Sequence, residues 1–449
     1  MNRENLLRAR SHIVFILALA AAFALVMWIE RHSEFKPRSS VPGAAASSTP
    51  IIEFSGNLPP IPSQRALDPQ EREWAQVAWR YFVNNTDPVT GLVHSVDKYE
   101  ATTLWDSASY LLALFAAERL ELISSAQFDK RLKKALDSLG KLPLVDGILP
   151  NKSYSTATLE MVDYRGKPAP NGIGWSAIDI ARLMVPLNVI AWNYPQHTKA
   201  ALRVIARWKM QALARDGVLF GAHRDVEGKL ALVQEGRLGY EQYASKALGL
   251  FGFDMVNALD YRTHLAYANI YGVVLPYDRR DASVSGAHNY VLSEPYVLDG
   301  LEFGWDRISR EFAWRVLRAQ EERFHRTGIL TAVTEDHVDQ APYFVYNTVF
   351  TDGKPWHALT DQGEDVSRLR TLSVKAAFGW HALYRTGYTD RLMAAVDKLF
   401  DPERGWYAGR YEEGGRPNKA VTANTNAVVL ESLAYIVSGR MIDYRQVGK

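Results

Sequence analysis

Cysteine is absent from the 449 residues, which excludes both a disulfide framework and a thiolate metal site. A charge surplus is lacking as well: 52 Lys and Arg stand against 50 Asp and Glu. No overall field draws phosphates, so nucleic acid is not the expected partner. The chain has no Gly-x-Ser-x-Gly elbow, no phosphate-cradling Gly-Lys-Ser/Thr loop and no His-Glu-x-x-His helix. No cofactor and no metal are therefore expected. What is present is apolar and aromatic: 47% hydrophobic residues with 12 Trp, 22 Tyr and 17 Phe. Such a composition excludes a disordered chain.

One apolar run stands out, from Ile13 to Ile29, with Arg3, Arg8 and Arg10 before it and Glu30 and Arg31 after it. Its length just spans a bilayer, and the upstream arginines orient the N-terminus toward the cytoplasm. The expectation is an inner-membrane anchor at residues 1–32 and a soluble domain in the periplasm. Ala22-Phe23-Ala24 leaves a cleaved signal peptide as the alternative. Residues 33–66, with PRSSVPGAAASSTP and NLPPIPSQ, read as a flexible linker, 67–440 as one domain and 441–449 as a tail.

Within the domain, apolar residues recur at helical spacing. A Gly followed by apolar residues punctuates the pattern at Gly91, Gly147, Gly217, Gly328 and Gly405, and is read as a helix cap. Six helix pairs result. The first members fall near 70–83, 125–139, 198–214, 257–270, 307–324 and 388–399. The second members fall near 102–118, 174–192, 238–253, 293–303, 368–384 and 421–437, and are the more apolar. Six such hairpins predict an all-α fold, an (α/α)6 toroid, with an irregular α-solenoid as the alternative.

Acids and aromatics gather where the second helices begin. The catalytic candidates are Glu241 and Asp106, followed by Glu294, Glu335 and Asp336. Substrate-binding candidates on the early hairpins are Trp105, Trp175, Asp179, Tyr240, Gln242, Tyr243 and Tyr296. Those on the later hairpins are Asn347, Asp352, Trp356, Trp406, Tyr411, Glu412, Asn424 and Asn426. A carboxylate in a first helical turn commonly only caps it, and a Trp is most often buried. The mixture nevertheless suits glycoside hydrolysis, in which one carboxyl protonates the leaving oxygen and a second activates water or attacks carbon. Trp and Tyr would stack on the apolar faces of the sugar rings.

The stretches TTLWDSASYLLAL, GWSAIDIARL, GYEQYASKALGL, SEPYVLDGLEFG, LRTLSVKAAFGWHALY and TANTNAVVLESL resemble the bacterial domain-of-unknown-function family 3131, from about Asp68 to Gly439. That family is similar to six-hairpin glycosidases and is associated with exopolysaccharide synthesis and secretion systems. The resemblance implies an (α/α)6 fold and a glycan partner, with polysaccharide synthase or secretion proteins as neighbours. It supplies no catalytic residues.

Three functions compete. The first is a membrane-anchored periplasmic glycoside hydrolase that acts on an envelope or secreted polysaccharide, of the inverting kind. The second is a non-catalytic glycan-binding or assembly factor of an exopolysaccharide complex. The third is a lyase or epimerase, with His288-Asn289-Tyr290 supplying a base and Arg279-Arg280 holding a uronate.

Overall fold

Hydroxyl side chains start most of the long apolar helices. Thr103 Oγ1 accepts from the Asp106 N–H at 3.1 Å, Ser176 Oγ from Asp179 at 3.1 Å, and Thr422 Oγ1 from Thr425 at 3.1 Å. These bonds satisfy amides that the first helical turn leaves without partners. The computed structural model describes residues 50–225, 227–285 and 287–444. The expected anchor at residues 13–29 lies outside them. Among the described residues no helix is long and apolar enough to cross a membrane.

The helices pair as the periodicity predicts. Each outer helix is followed by an inner one: α1 (Pro69–Asn84) and α2 (Leu104–Arg119), α3 (Ser125–Leu139) and α4 (Ala177–Asn193), α5 (Thr198–Ile205) and α6 (Tyr240–Gly249). Then come α7 (Val256–Leu259) and α8 (Glu294–Leu298), α9 (Arg307–Thr327) and α10 (Val374–Tyr384), α11 (Gly387–Val396) and α12 (Ala423–Ser438). A π-turn, Asp299–Phe303, extends α8. Inner helices pack in a closed ring, α2 on α4, then α6, α8, α10, α12 and back to α2. The ring explains their composition: from Leu104 to Ala117 every α2 side chain but Trp105 is buried, whereas α1 buries chiefly one side.

The all-α expectation needs correction. Seven small antiparallel sheets lie among the described residues. The strands that shape the cleft are β1 (Ala101–Thr103) with β2 (Ser153–Ser155), and β3 (Val218–Arg224) with β4 (Leu230–Gln234). Next are β5 (Leu265–Ile270) with β6 (Val273–Asp278), β7 (Glu335–His337) with β8 (Phe344–Asn347), and β9 (Thr371–Ser373) with β10 (Gly405–Tyr411). They lie in the connections between outer and inner helices, where ladder pairing satisfies backbone groups that no helix serves.

The glycine punctuation is mostly a hairpin signal. Asp216 (φ 50°) and Gly217 (φ 69°) form the two-residue loop between Arg215 and Val218, a type I′ geometry that needs positive φ at both positions. Asp352-Gly353 joins Thr351 to Lys354 in the same way. Only Gly328 caps a helix, ending α9 with its N–H on Phe324 O. The expected helix at 257–270 keeps one turn and then becomes the β5–β6 hairpin, whose Tyr267, Ile270, Val273 and Tyr277 suit a pleated surface.

Residues 50–66, assigned to the linker, lie against the domain. Ser55 donates to Glu311 through both its N–H and its hydroxyl, Arg310 donates to Pro59 O at 2.7 Å, and the Arg65 N–H reaches Ile436 O at 2.9 Å. At the other end Met441 and Ile442, placed in the tail, are buried and bond through their N–H groups to Leu301 O and Glu302 O.

Candidate functional site

Every inner helix points its N-terminus at the same face, so side chains from their first turns meet over the ring axis. Lys375, in the first turn of α10, sits at the centre of that meeting point and is 4% exposed on its side chain. Its ammonium donates to Glu294 of α8 and lies 4.0 Å from Asp336 Oδ1. Asn424 of α12 donates to the other Glu294 oxygen at 2.7 Å. Burial disfavours the Lys375 cation, but the charges of Glu294, Asp336 and Glu335 outweigh it and hold the pKa above the usual lysine range.

Strand alternation separates two adjacent acids. Glu335 is paired with Tyr346 across the β7–β8 ladder and Asp336 with Val345, so the two carboxyl groups leave opposite faces of the sheet. Val345 is fully buried, whereas Tyr346 and Phe344 are half-buried along the cleft. Glu335 therefore faces the cleft with Tyr346, and its carboxylate accepts from Thr334 Oγ1 at 2.7 Å. Asp336 turns inward toward Lys375. Burial raises the pKa of both above the ordinary carboxylate range, and the Lys375 charge only partly offsets this.

Asp179 lies half-buried in the first turn of α4. Its pKa is pushed up to about 7, first by desolvation and then by the Glu235 charge, with Lys152 and the Ser176 hydroxyl opposing. Glu235 is itself fixed at the end of α4: it accepts from Ser176 Oγ at 3.0 Å, Ala177 N at 2.7 Å and Ile178 N at 3.2 Å. Asp106 is buried under the same face, bonded by Thr103 Oγ1 at 2.8 Å, and its pKa is raised by burial. The Tyr346 phenol is pushed up by burial and then by the charges of Glu335, Asp179, Asp361 and Glu235, so all four carboxylates lie within electrostatic reach of it.

Aromatic rings extend the cleft. Tyr290 and Tyr346 stack at 4.2 Å, His288 stacks on Tyr290 at 5.4 Å, and Phe344 meets Tyr346 edge-on at 5.2 Å. Trp105, partly exposed, meets Tyr240 edge-on at 5.7 Å. Asn347 lies just beneath, fully buried, with its amide on Thr371 Oγ1 at 3.4 Å.

Asp106, Asp179, Glu294, Glu335, Asp336, Trp105, Tyr240, Asn347 and Asn424 are thus brought together. Others are not. Glu241 forms an ion pair with Arg280 at 2.6 Å, beside Asp278, which shares that guanidinium. Gln242 closes the α6 capping box through the Gly239 N–H at 2.8 Å. Trp175 and Trp406 are core rings, their indole N–H groups on Phe220 O at 3.3 Å and Trp74 O at 3.1 Å, and they leave no face for a sugar. Asn426 fixes Trp406 by accepting its backbone N–H at 2.8 Å. Tyr243 and Tyr296 are 1% and 2% exposed. Trp356 is buried under the Arg323 guanidinium, and Glu412 is clamped by Arg323 and Arg370. Tyr411 belongs to a small separate apolar cluster and bonds Asp339 at 2.7 Å, while Asp352 holds His288.

Of the residues offered for lyase chemistry, Tyr290 lines the cleft, Asn289 is buried with its amide on Asp278 O at 2.6 Å, and the others are paired. Arg280 is neutralised by Glu241 and Asp278, Arg279 donates to Thr263 O, and His288 is paired with Asp352. Sequence reading passed over Lys375, Glu235 and Tyr346, and named Tyr290 only as part of a lyase base. Lys375 sits two residues after a strand and looks like a solvated helix lysine, and only the ring closure surrounds it with acids.

The sequence model of one family matches residues 73–439, a family described as Protein of unknown function (DUF3131). The chain belongs to that family. Among curated protein sequences none matches. Solved structures share the fold, and they are glycoside hydrolases. An endo-β-1,2-glucanase from Chitinophaga pinensis, in complex with sophorotriose and glucose, has a TM-score of 0.59 at 15% identity, covering 85% of this chain and 95% of that one. A β-1,2-glucanase from Parabacteroides distasonis gives 0.60 at 11%, covering 84% and 58%. An endo-β-1,2-glucanase from Talaromyces funiculosus with β-1,2-glucan gives 0.55 at 12%, covering 84% and 85%. The DUF3131 chain therefore has a glycosidase-like toroidal fold.

Proposed function

We propose that this DUF3131 protein hydrolyses glycosidic bonds of a polysaccharide, with Asp179 as proton donor and Glu335 as the carboxylate that activates water. One observation carries the reading: the charges of Asp179, in the first turn of α4, and Glu335, on β7, both act on the phenol of Tyr346, which stacks on Tyr290. A carboxyl with its pKa near 7 is matched to proton donation at neutral pH. Glu335, beside the Lys375 charge, is the better candidate to be ionised in the same cleft. An inverting reaction leaves room for water between carboxyl groups about 6.5–9.5 Å apart, and the assignment expects that spacing between Asp179 and Glu335.

The substrate reading is supported by the neighbours that bind β-1,2-linked glucans or their fragments, and by the stacked rings lining the cleft. The apolar run at residues 13–29 with its preceding arginines supports an anchored domain on the periplasmic side, next to polysaccharide synthesis or secretion proteins. The test is product analysis by mass on soluble β-1,2-glucan and a panel of bacterial exopolysaccharides. Hydrolysis by the native chain, lost by about 10²–10⁴-fold in Asp179→Asn and in Glu335→Gln, is the expected result. Undiminished hydrolysis in both variants would overturn the assignment. Binding without cleavage would leave the glycan-binding reading in its place.

A further inference from the structure

Helical spacing repeats the cleft residues one and two turns deeper. Arg182 follows Asp179 by three residues on α4, Tyr243 follows Tyr240 by three on α6, and Glu431 follows Asn424 by seven on α12. Glu302, from the π-turn after α8, joins them. Residues at i+3 and i+7 share a helix face, so the face that lines the cleft also lines the axis below it.

These four side chains form one buried knot. The Arg182 guanidinium contacts Glu302, donates to the Tyr243 hydroxyl at 2.5 Å, and lies 3.5 Å from Glu431 Oε1. Tyr243 in turn donates to Glu302 Oε2 at 2.6 Å. The side chains of Arg182, Glu302 and Glu431 are all 0% exposed. One guanidinium cannot balance two carboxylates, and a second buried anion would cost several kcal/mol at least. The pair Glu302 and Glu431 therefore holds one proton between them. Burial, followed by the Glu302 charge, pushes Glu431 well above the carboxylate range.

The knot reaches the cleft through one ring. The Arg182 guanidinium carbon stands 4.9 Å over the centroid of Trp105, the only residue of α2 between Leu104 and Ala117 that is not buried. Trp105 then meets Tyr240 edge-on. A cation 4.9 Å over an indole favours ring orientations that keep the π face toward it, a directional preference that apolar packing alone lacks.

We infer that Arg182 is a positioning residue: with the proton-sharing carboxyl pair Glu302 and Glu431 it sets the plane of Trp105, which serves as the floor for a neutral sugar ring in the cleft. The sugar part of this inference rests on the proposed glycan site; the positioning of Trp105 does not.

The test is spectroscopic and needs no substrate. The Trp105 contribution to fluorescence is isolated by subtracting Trp105→Phe in each background. In Arg182→Lys, which keeps the charge but loses the planar fork, and in Arg182→Met, this contribution should shift in wavelength and gain accessibility to acrylamide. In Glu431→Gln, which keeps the shape, it should remain as in the native chain, while the infrared carbonyl band of one protonated carboxyl is lost. An unchanged Trp105 signal in folded Arg182→Lys would overturn the inference. So would persistence of the carbonyl band in Glu431→Gln. Should Arg182→Met fail to fold, the lysine and glutamine variants still decide. A native chain that passes these tests yet cleaves no glycan would refute the hydrolase reading alone.

Discussion

Glu335 stands directly opposite Tyr346 in an antiparallel ladder, and Asp336 stands opposite Val345. That register assigns two neighbouring acids to different tasks. One faces an aromatic cleft, and the other neutralises a buried lysine. The tasks separate experimentally.

Glu335→Gln should reduce hydrolysis by about 10²–10⁴-fold, because it removes the carboxylate that activates water. Asp336→Asn should keep most of the rate. Asp336 leaves the other face of the ladder, 4.0 Å from Lys375, so an amide of the same shape keeps the cleft-facing groups in place. Initial rates of the two purified variants on the same polysaccharide check this. Equal losses would mean that Asp336 also reaches the substrate.

Asp179 sets the alkaline limb. The donor must carry its proton, so the rate should fall as pH rises through about 7, the value to which desolvation and Glu235 push it. Stability follows the same sign. A carboxyl whose folded pKa is raised favours folding below its unfolded pKa and progressively opposes it as pH rises toward 7. Asp179→Asn should therefore raise the melting temperature at pH 8 relative to the native chain, with little difference at pH 4, while abolishing turnover. A pH–rate profile and thermal scans at the two pH values measure both effects.

Glu241 provides the contrast. Its carboxylate is bound to Arg280, and Arg280 is shared with Asp278. Truncating one partner of such a buried pair costs about 3–5 kcal/mol, since the other charge is left without compensation. Glu241→Ala should lower the urea midpoint markedly and leave the pH–rate profile of the folded fraction unshifted. A displaced acid or alkaline limb would return Glu241 to the catalytic centre.

The segment before α1 should behave as part of the domain. Glu311 is fully buried and accepts two groups of Ser55 as well as Arg315 Nε at 2.7 Å. A chain beginning at Arg65 leaves that carboxylate with fewer donors and uncovers the surface beneath residues 50–64. Its melting temperature should lie below that of a chain beginning at Pro50. Equal melting temperatures would mean that the strap adds nothing to folding.

Much of the architecture was legible because helical periodicity is local. Spacing alone located all six inner helices and four of the six outer ones, and apolarity told the inner from the outer; the third outer helix, expected over 198–214, ends at Ile205 and gives way to a 3-10 turn and a short strand. The fourth outer helix failed because LAYANIYGVVLPYD carries apolar residues at intervals that suit both periods, and the Tyr271-Gly272 turn decided for a hairpin. The Asp-Gly dipeptides stood out in the sequence as helix caps, and in the structure they are hairpin turns.

The site divided differently. Composition and motif absence pointed to carboxylate chemistry on a sugar, and the acids of the first helical turns were visible as candidates from their position. Which of them share a cleft was decided by closure of the inner ring. It brought Lys375 from α10 onto Glu294 from α8 and put Asp179 from α4 and Glu335 from β7 within electrostatic reach of one phenol, Tyr346. It also sent Glu241 to Arg280, and buried Trp175 and Trp406 in the core. The physical reason is that helix formation follows local spacing. A carboxyl's partner and its loss of water depend on side chains tens to hundreds of residues away in the chain.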